Sequence, residues 1–379
     1  MGLSCCLRLG RGRPVVLLLL NLFVSSHAGK IRIVETRLEQ TRTSPIYRAR
    51  LRAGWELLES WLLTKKLSSV DWTRDLKYTN QILADFVQDM HDSQDVKLWI
   101  VRHALLSVQT FHRSLQGRIR RPWDGIASWQ MEVPLRSRVA VDMNLLQGLF
   151  ISAIDWALQE PSLAVYLIPL AVLARIIFFA VLRFGEGMKL LVSDLYFPRR
   201  EHIQNPKLPI CIRNPKNRTT MGRVQYSIID DPETIEWARW LTRGLHPNVK
   251  LWPSSPANFR KWFNLLLKRM GIHFKRLGPG GLRGGGATFK VMNGYSSARL
   301  QEIGRWANSR NMQIYLQEAM AALVMNQLPE YEAQNLDTII EEGSRVWHSP
   351  PQVPWWSLFS RARQWHMSRL MKKMPSGNL

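Results

Sequence analysis

Acidic residues are scarce in this chain. There are 29 Asp and Glu against 52 Lys and Arg in 379 residues, a formal net charge of +23. That balance disfavours an acidic ligand-repelling surface and selects a polyanionic partner, nucleic acid first and an anionic membrane surface second. The excess is not confined to a tail, because it runs from Arg48, Arg50 and Arg52 to Lys372 and Lys373. Cysteine is scarcer still, with three residues: Cys5 and Cys6 near the start, and Cys211 alone in the body. The body therefore has no disulfide framework, which suits a reducing compartment. His273 has no His or Cys at ligand spacing, so no metal site is expected. The run Gly284-Gly285-Gly286 lacks the Gly-Lys-Ser/Thr that closes a nucleotide-binding loop, so no nucleotide or other cofactor is expected.

What is present divides the chain. Residues 1–29 place Arg8, Arg11 and Arg13 before the apolar run Val15–Val24, then small residues with a possible cut after Ala28, the layout of a secretory signal or of a spurious leader. Asn217-Arg218-Thr219 is a formal glycosylation acceptor. Against these, the cysteine-poor body predicts a nuclear or cytoplasmic protein. Residues 30–138 read as helices followed by an interdomain linker at 121–138. Ile82, Leu83, Phe86, Val87 and Met90 recur at helical spacing, as do Trp99, Ala104, Leu105, Val108 and Phe111, and Trp55, Leu58, Trp61 and Leu62. Leu163–Leu182 is nearly as apolar as a membrane span, but Pro169 and Arg175 interrupt it. A buried helix–turn–helix is the expectation, since a mid-span arginine is costly in lipid. Ile210–Ile212 and Val224–Ile229 read as a β-hairpin across a polar connection, and Asp231-Pro232-Glu233 as a capped helix start. Residues 331–379 read as a basic aromatic tail. Helical pattern also covers Asn258–Met270 and 298–325.

Four pieces follow in order: Arg183-Phe184-Gly185-Glu186; Lys216 in the hairpin; Gly280-Gly281-Leu282-Arg283 with its glycine run; and Gly304-Arg305-Trp306, with Tyr315 nine residues after Trp306. Taken singly, each is an ordinary surface or core residue. As an ordered set they resemble the catalytic domain of the tyrosine recombinase (phage integrase) family, in the divergent form found in protist genomes. The resemblance covers 139–330, and more loosely extends to 30–138 as a core-binding-like domain. It implies a fold that is mainly α with a small antiparallel β element: an N-terminal helical bundle plus an α+β catalytic domain. It also implies the chemistry of DNA integration and recombination. Tyr315 would attack phosphorus and form a phosphotyrosine, Arg183 and Arg283 would hold the non-bridging oxygens, and Lys216 would protonate the leaving oxygen. Trp306 would pack on the phosphate, with Glu186 orienting an arginine or the local backbone. Gly280 stands where the family has a histidine. The implied partners are double-stranded DNA and other copies of the chain on DNA, with no membrane. Two further readings stay open: a decayed mobile-element protein that only binds DNA, and a secreted or membrane-anchored basic protein.

Overall fold

A computed structural model describes residues 43–67, 70–133, 139–198, 205–217, 221–273, 277–310, 312–313, 316, 328–353 and 355. The leader at 1–29, Tyr315 and residues 356–379 lie outside them. The chain divides into two units, Met1–Leu135 and Arg136–Leu379, each with its own apolar core.

In the first unit, helix α1 (Pro45–Thr64) starts where Ser44 accepts from the Tyr47 amide and Pro45 sits in the first turn. Helix α2 (Leu76–Asp92) is capped by the Asp75 carboxylate, which takes the Lys77 and Tyr78 amides. Helix α3 (Leu98–Phe111) lies against α1 at Gly54, where a Cβ would meet the Ala104 nitrogen at 2.4 Å. Leu58, Leu83, Phe86, Val101, Leu105 and Val108 fill the core between them. Trp99 and Phe111, read as part of the α3 apolar face, are exposed at its two ends; Phe111 packs edge-on to Trp55 instead. The segment expected to be a linker is mostly helix α4 (Arg120–Glu132), with Pro122 early in its first turn, where a missing amide costs nothing. Residues 134–138 lie outside the described part.

In the second unit, helix α5 (Met143–Gln159) begins at Asp142, whose carboxylate accepts the Leu145 amide. Helix α6 (Ala164–Phe179) is continuous through Pro169, correcting the helix–turn–helix expectation, and Tyr166 is its only residue not fully buried. Packing on all sides offsets the proline's lost hydrogen bond. By length and composition Pro161–Phe179 could cross a membrane, but 83% of it is buried within the protein. Its arginine explains how: the fully buried Arg175 donates to Thr234 (3.1 Å), to the Trp347 carbonyl (2.7 Å) and to Asp231 and Glu233 (3.3 Å each). Its guanidinium also lies 3.7 Å from the Trp347 ring centroid.

A short helix α7 (Phe184–Gly187) follows, then strands β1 (Leu208–Ile212) and β2 (Gln225–Ile229), paired antiparallel from Leu208 opposite Ile229 to Ile212 opposite Gln225. Helix α8 (Pro232–Thr242) is capped by Asp231 through the Thr234 amide, and α9 (Pro256–Arg269) by Ser255. Helices α10 (Gly281–Met292) and α11 (Ser297–Gly304) come next. Helix α12 (Glu330–His348) lies in the segment read as a tail; its Leu336 and Trp347 enter the main core, and so does Trp355. The fold class is thus mainly α with a small antiparallel β element.

Candidate functional site

The glycine run is not a loop. It forms the first turns of α10, and its glycines let that helix lie directly on other backbone. A Cβ at Gly285 would stand 1.5 Å from the Val141 carbonyl oxygen, and one at Gly286 would stand 2.0 Å from that of Phe178. Gly281 makes a similar approach to Val139, and its carbonyl accepts the Val141 amide at 3.2 Å. This packing fixes α10 against the end of α6, and α10 carries Arg283.

The end of α6 turns through Val181, whose φ of +49° puts a β-branched residue in the left-handed region. Such a conformation costs about 1–3 kcal/mol and clusters at functional sites. The turn leads directly to Arg183, which begins α7. The Glu186 carboxylate accepts from the Arg183 amide (2.9 Å) and from its Nη1 (2.8 Å). The other Glu186 contact comes from a second arginine, Arg305, at 2.6 Å. Burial alone would push the Glu186 carboxyl up, but Arg305 and Arg183 together hold it below the ordinary range.

Arg305 caps α11 in the left-handed conformation (φ +55°) and is buried. The preceding residue, Gly304, is covered by the Trp306 indole so closely that a Cβ would lie 1.6 Å from the ring. The Gly304 carbonyl accepts from Arg283 Nη2 at 2.7 Å, and the Arg283 guanidinium lies 4.5 Å from the centroid of the Trp306 ring. Arg183, Glu186, Arg283 and Trp306 are thus brought together, with Arg305 between them. Lys216 stands exposed on the β1–β2 connection. Its neighbour Asn217 donates to the Arg305 carbonyl at 3.0 Å, which tethers the hairpin to the cluster. The same bond engages the Asn217 amide nitrogen that a glycan would need. Gly280 sits at the α10 N-terminus, one turn before Arg283, with no side chain to offer. Tyr315 lies outside the described residues.

Sequence reasoning gave Arg305 no role of its own and read Asn217 only as a glycosylation acceptor. The Gly-Arg-Trp tripeptide drew attention to the glycine and tryptophan, but nothing in the chain distinguishes a buried arginine from an exposed one.

A polar cluster braces the far end of α10. Asp230, just after β2, accepts from Lys290 (2.9 Å), Tyr295 (2.5 Å) and Arg299 (3.4 Å). Burial and the Asp230 carboxylate push the Tyr295 hydroxyl up to about 12. This cluster ties β2, α10 and α11 together. The Ser227 hydroxyl adds a second tie, 2.6 Å from the Ala180 carbonyl and 3.2 Å from that of Ile303.

Chemically, two guanidiniums share one carboxylate, and a third guanidinium sits against an indole. Arg183 spends only Nη1 on Glu186 and is part exposed, so the cluster has cationic capacity toward solvent. Guanidinium nitrogens in this number suit a tetrahedral oxyanion such as a phosphodiester. No cluster of three or more potential metal ligands occurs among the described residues.

No family model matches this chain, and none of the curated proteins does. In three dimensions the chain is similar to solved recombinases and integrases. The XerH site-specific recombinase, bound to difH substrate in a pre-cleavage complex, aligns with a TM-score of 0.47 and 16% identity, over 75% of this chain and 81% of that one. The Tn1549 transposon integrase in complex with transposon right end DNA aligns with a TM-score of 0.49 and 15% identity, over 82% of this chain and 97% of that one. These are likenesses of chain trace.

Proposed function

We propose that this protein is a tyrosine recombinase: it binds double-stranded DNA, self-associates on it, and cuts and rejoins strands through a covalent phosphotyrosine at Tyr315. One observation carries the reading. Arg183, Arg283 and Trp306 come from separate pieces of chain in the family's motif order, and Glu186 and Arg305 link them in one basic cluster. In the reaction, the Tyr315 hydroxyl gives its proton to water as its oxygen attacks phosphorus, and the 5′ oxygen departs, taking a proton from Lys216. Arg183 and Arg283 stabilise the charge on the non-bridging oxygens. A 5′ hydroxyl then attacks the phosphotyrosine and releases Tyr315, so no metal or nucleotide is consumed. The body would act in the nucleus or cytoplasm.

A second reading is a DNA-binding relic, favoured by Gly280, which leaves the family's histidine position without an acid/base group. One experiment separates the two. A random pool of nicked suicide duplexes, in which the cleaved end diffuses away, should trap a covalent adduct without magnesium. Tyr315→Phe should abolish the adduct and leave DNA binding nearly intact. Binding without any adduct across the pool leaves the relic reading standing.

A further inference from the structure

The geometry points to Arg305 as a positioning residue that divides Glu186 between two guanidiniums, and so keeps the outer edge of Arg183 available to a phosphate. This rests on the recombinase reading only for the identity of the phosphate.

The arrangement is specific. Arg305 occupies a left-handed backbone position, where glycine would be cheaper, and its side chain is buried. From there Nη2 reaches Glu186 at 2.6 Å, and Nη1 reaches the Ile303 carbonyl at 3.2 Å. Glu186 is left with one oxygen, Oε1, for the Arg183 side chain, and it receives one nitrogen there, Nη1 at 2.8 Å. Oε2 also accepts the Arg183 amide at 2.9 Å, so removing Arg305 frees one acceptor site on that oxygen, enough for a second Arg183 nitrogen and the two-point pair that carboxylate and guanidinium prefer. Arg183 would then face the carboxylate rather than an incoming phosphate, and the pocket would lose a cation. The Arg305 backbone carbonyl has a separate task, holding Asn217 beside Lys216, so the side chain can be removed without releasing the hairpin.

The test uses the full chain and Arg305→Gly, a residue that adopts this backbone conformation freely. Arg305→Lys and Glu186→Gln serve as companions, with thermal unfolding as the folding check. Three readouts are taken: carbon-13 NMR titration of labelled glutamates, with Glu186 assigned by its loss in Glu186→Gln; binding of inorganic phosphate; and the pH profile of adduct formation on the suicide pool. In Arg305→Gly the Glu186 carboxyl should titrate higher than in the parent. Phosphate affinity should fall several-fold, and Arg305→Lys should recover part of it. Adduct formation should slow by about 100-fold, the scale of a misplaced catalytic group, with its acid limb moved to higher pH. A Glu186 titration and phosphate affinity unchanged in a folded Arg305→Gly overturn the inference. A parent protein that forms no adduct sinks the recombinase reading instead, while the NMR and phosphate measurements still decide the role of Arg305.

Discussion

Gly285→Ala sets two effects of opposite sign against each other. In an exposed helix this change stabilises by about 1 kcal/mol, because alanine is the better helix former. At Gly285 the new methyl would lie 1.5 Å from the Val141 oxygen, 2.6 Å from its carbonyl carbon and 3.0 Å from Phe178 Cε2. Two of these are backbone atoms that no rotamer change can clear. Reaching even the closest tolerated separation, 3.0 Å, requires α10 to retreat by about 1.5 Å. Overpacking of this kind costs about 1–3 kcal/mol, and the retreat also strains the bond from the Val141 amide to the Gly281 carbonyl. With overpacking near 2 kcal/mol, about 1 kcal/mol for the weakened bond and the propensity gain of about 1 subtracted, the net expectation is a loss of about 2 kcal/mol, or roughly 4–8 °C in the unfolding midpoint for a unit of this size. Function should suffer more than stability, because the retreating helix carries Arg283 away from the Gly304 carbonyl, now 2.7 Å distant. Differential scanning calorimetry and adduct formation measure the two effects. A midpoint raised by the helix-propensity gain, with unchanged activity, would refute the backbone-on-backbone account of α10.

Two further outcomes follow from the buried charges. Arg175→Met should destabilise by about 3 kcal/mol, at the low end for a broken buried pair, because Asp231 and Glu233 keep the Thr234 amide and His348 as partners; unfolding in urea with an unchanged slope checks it, and a neutral result contradicts the network. Tyr295 should ionise about two pH units late, near 12 rather than 10, seen as a near-ultraviolet titration step lost in Tyr295→Phe. Because the folded value is raised, its contribution to stability is full below pH 10 and lost as pH rises through 12, so Tyr295→Phe should narrow its deficit across that window.

The sequence showed the parts whose signal is local. Asp231-Pro232 marked the start of α8 because a cap and an early proline act within one turn. The hairpin strands followed from alternation. The ordered motifs led to Arg183, Glu186, Arg283 and Trp306, which the fold brings together. What stayed hidden depends on partners far away in the chain. The glycine run reads as a loop by propensity, and the reason a helix needs glycines there, the close approach of Val141 and Phe178, lies far away in the chain. Pro122 reads as a linker signal, yet it falls where a helix tolerates proline. The helix Glu330–His348 was hidden behind the basic residues that follow it, and Arg305 looked like any other arginine of a basic chain.

The timing of synthesis gives α6 a further meaning. Its buried Arg175 is completed by the carbonyl of Trp347, 172 residues later. At roughly 5–20 residues per second, the ribosome delivers that partner about 9–34 seconds after the arginine. The arginine's carboxylate partners Asp231 and Glu233 arrive 56 and 58 residues after it, but for the rest of that interval a segment as greasy as a membrane anchor is present with part of its cover unmade. The nascent chain therefore offers chaperones and the membrane-insertion machinery a binding segment that the finished protein no longer displays. A chain cut short before Trp347 would leave that part of the cover permanently unmade, so truncation near the C-terminus should yield an aggregating product rather than a smaller working protein.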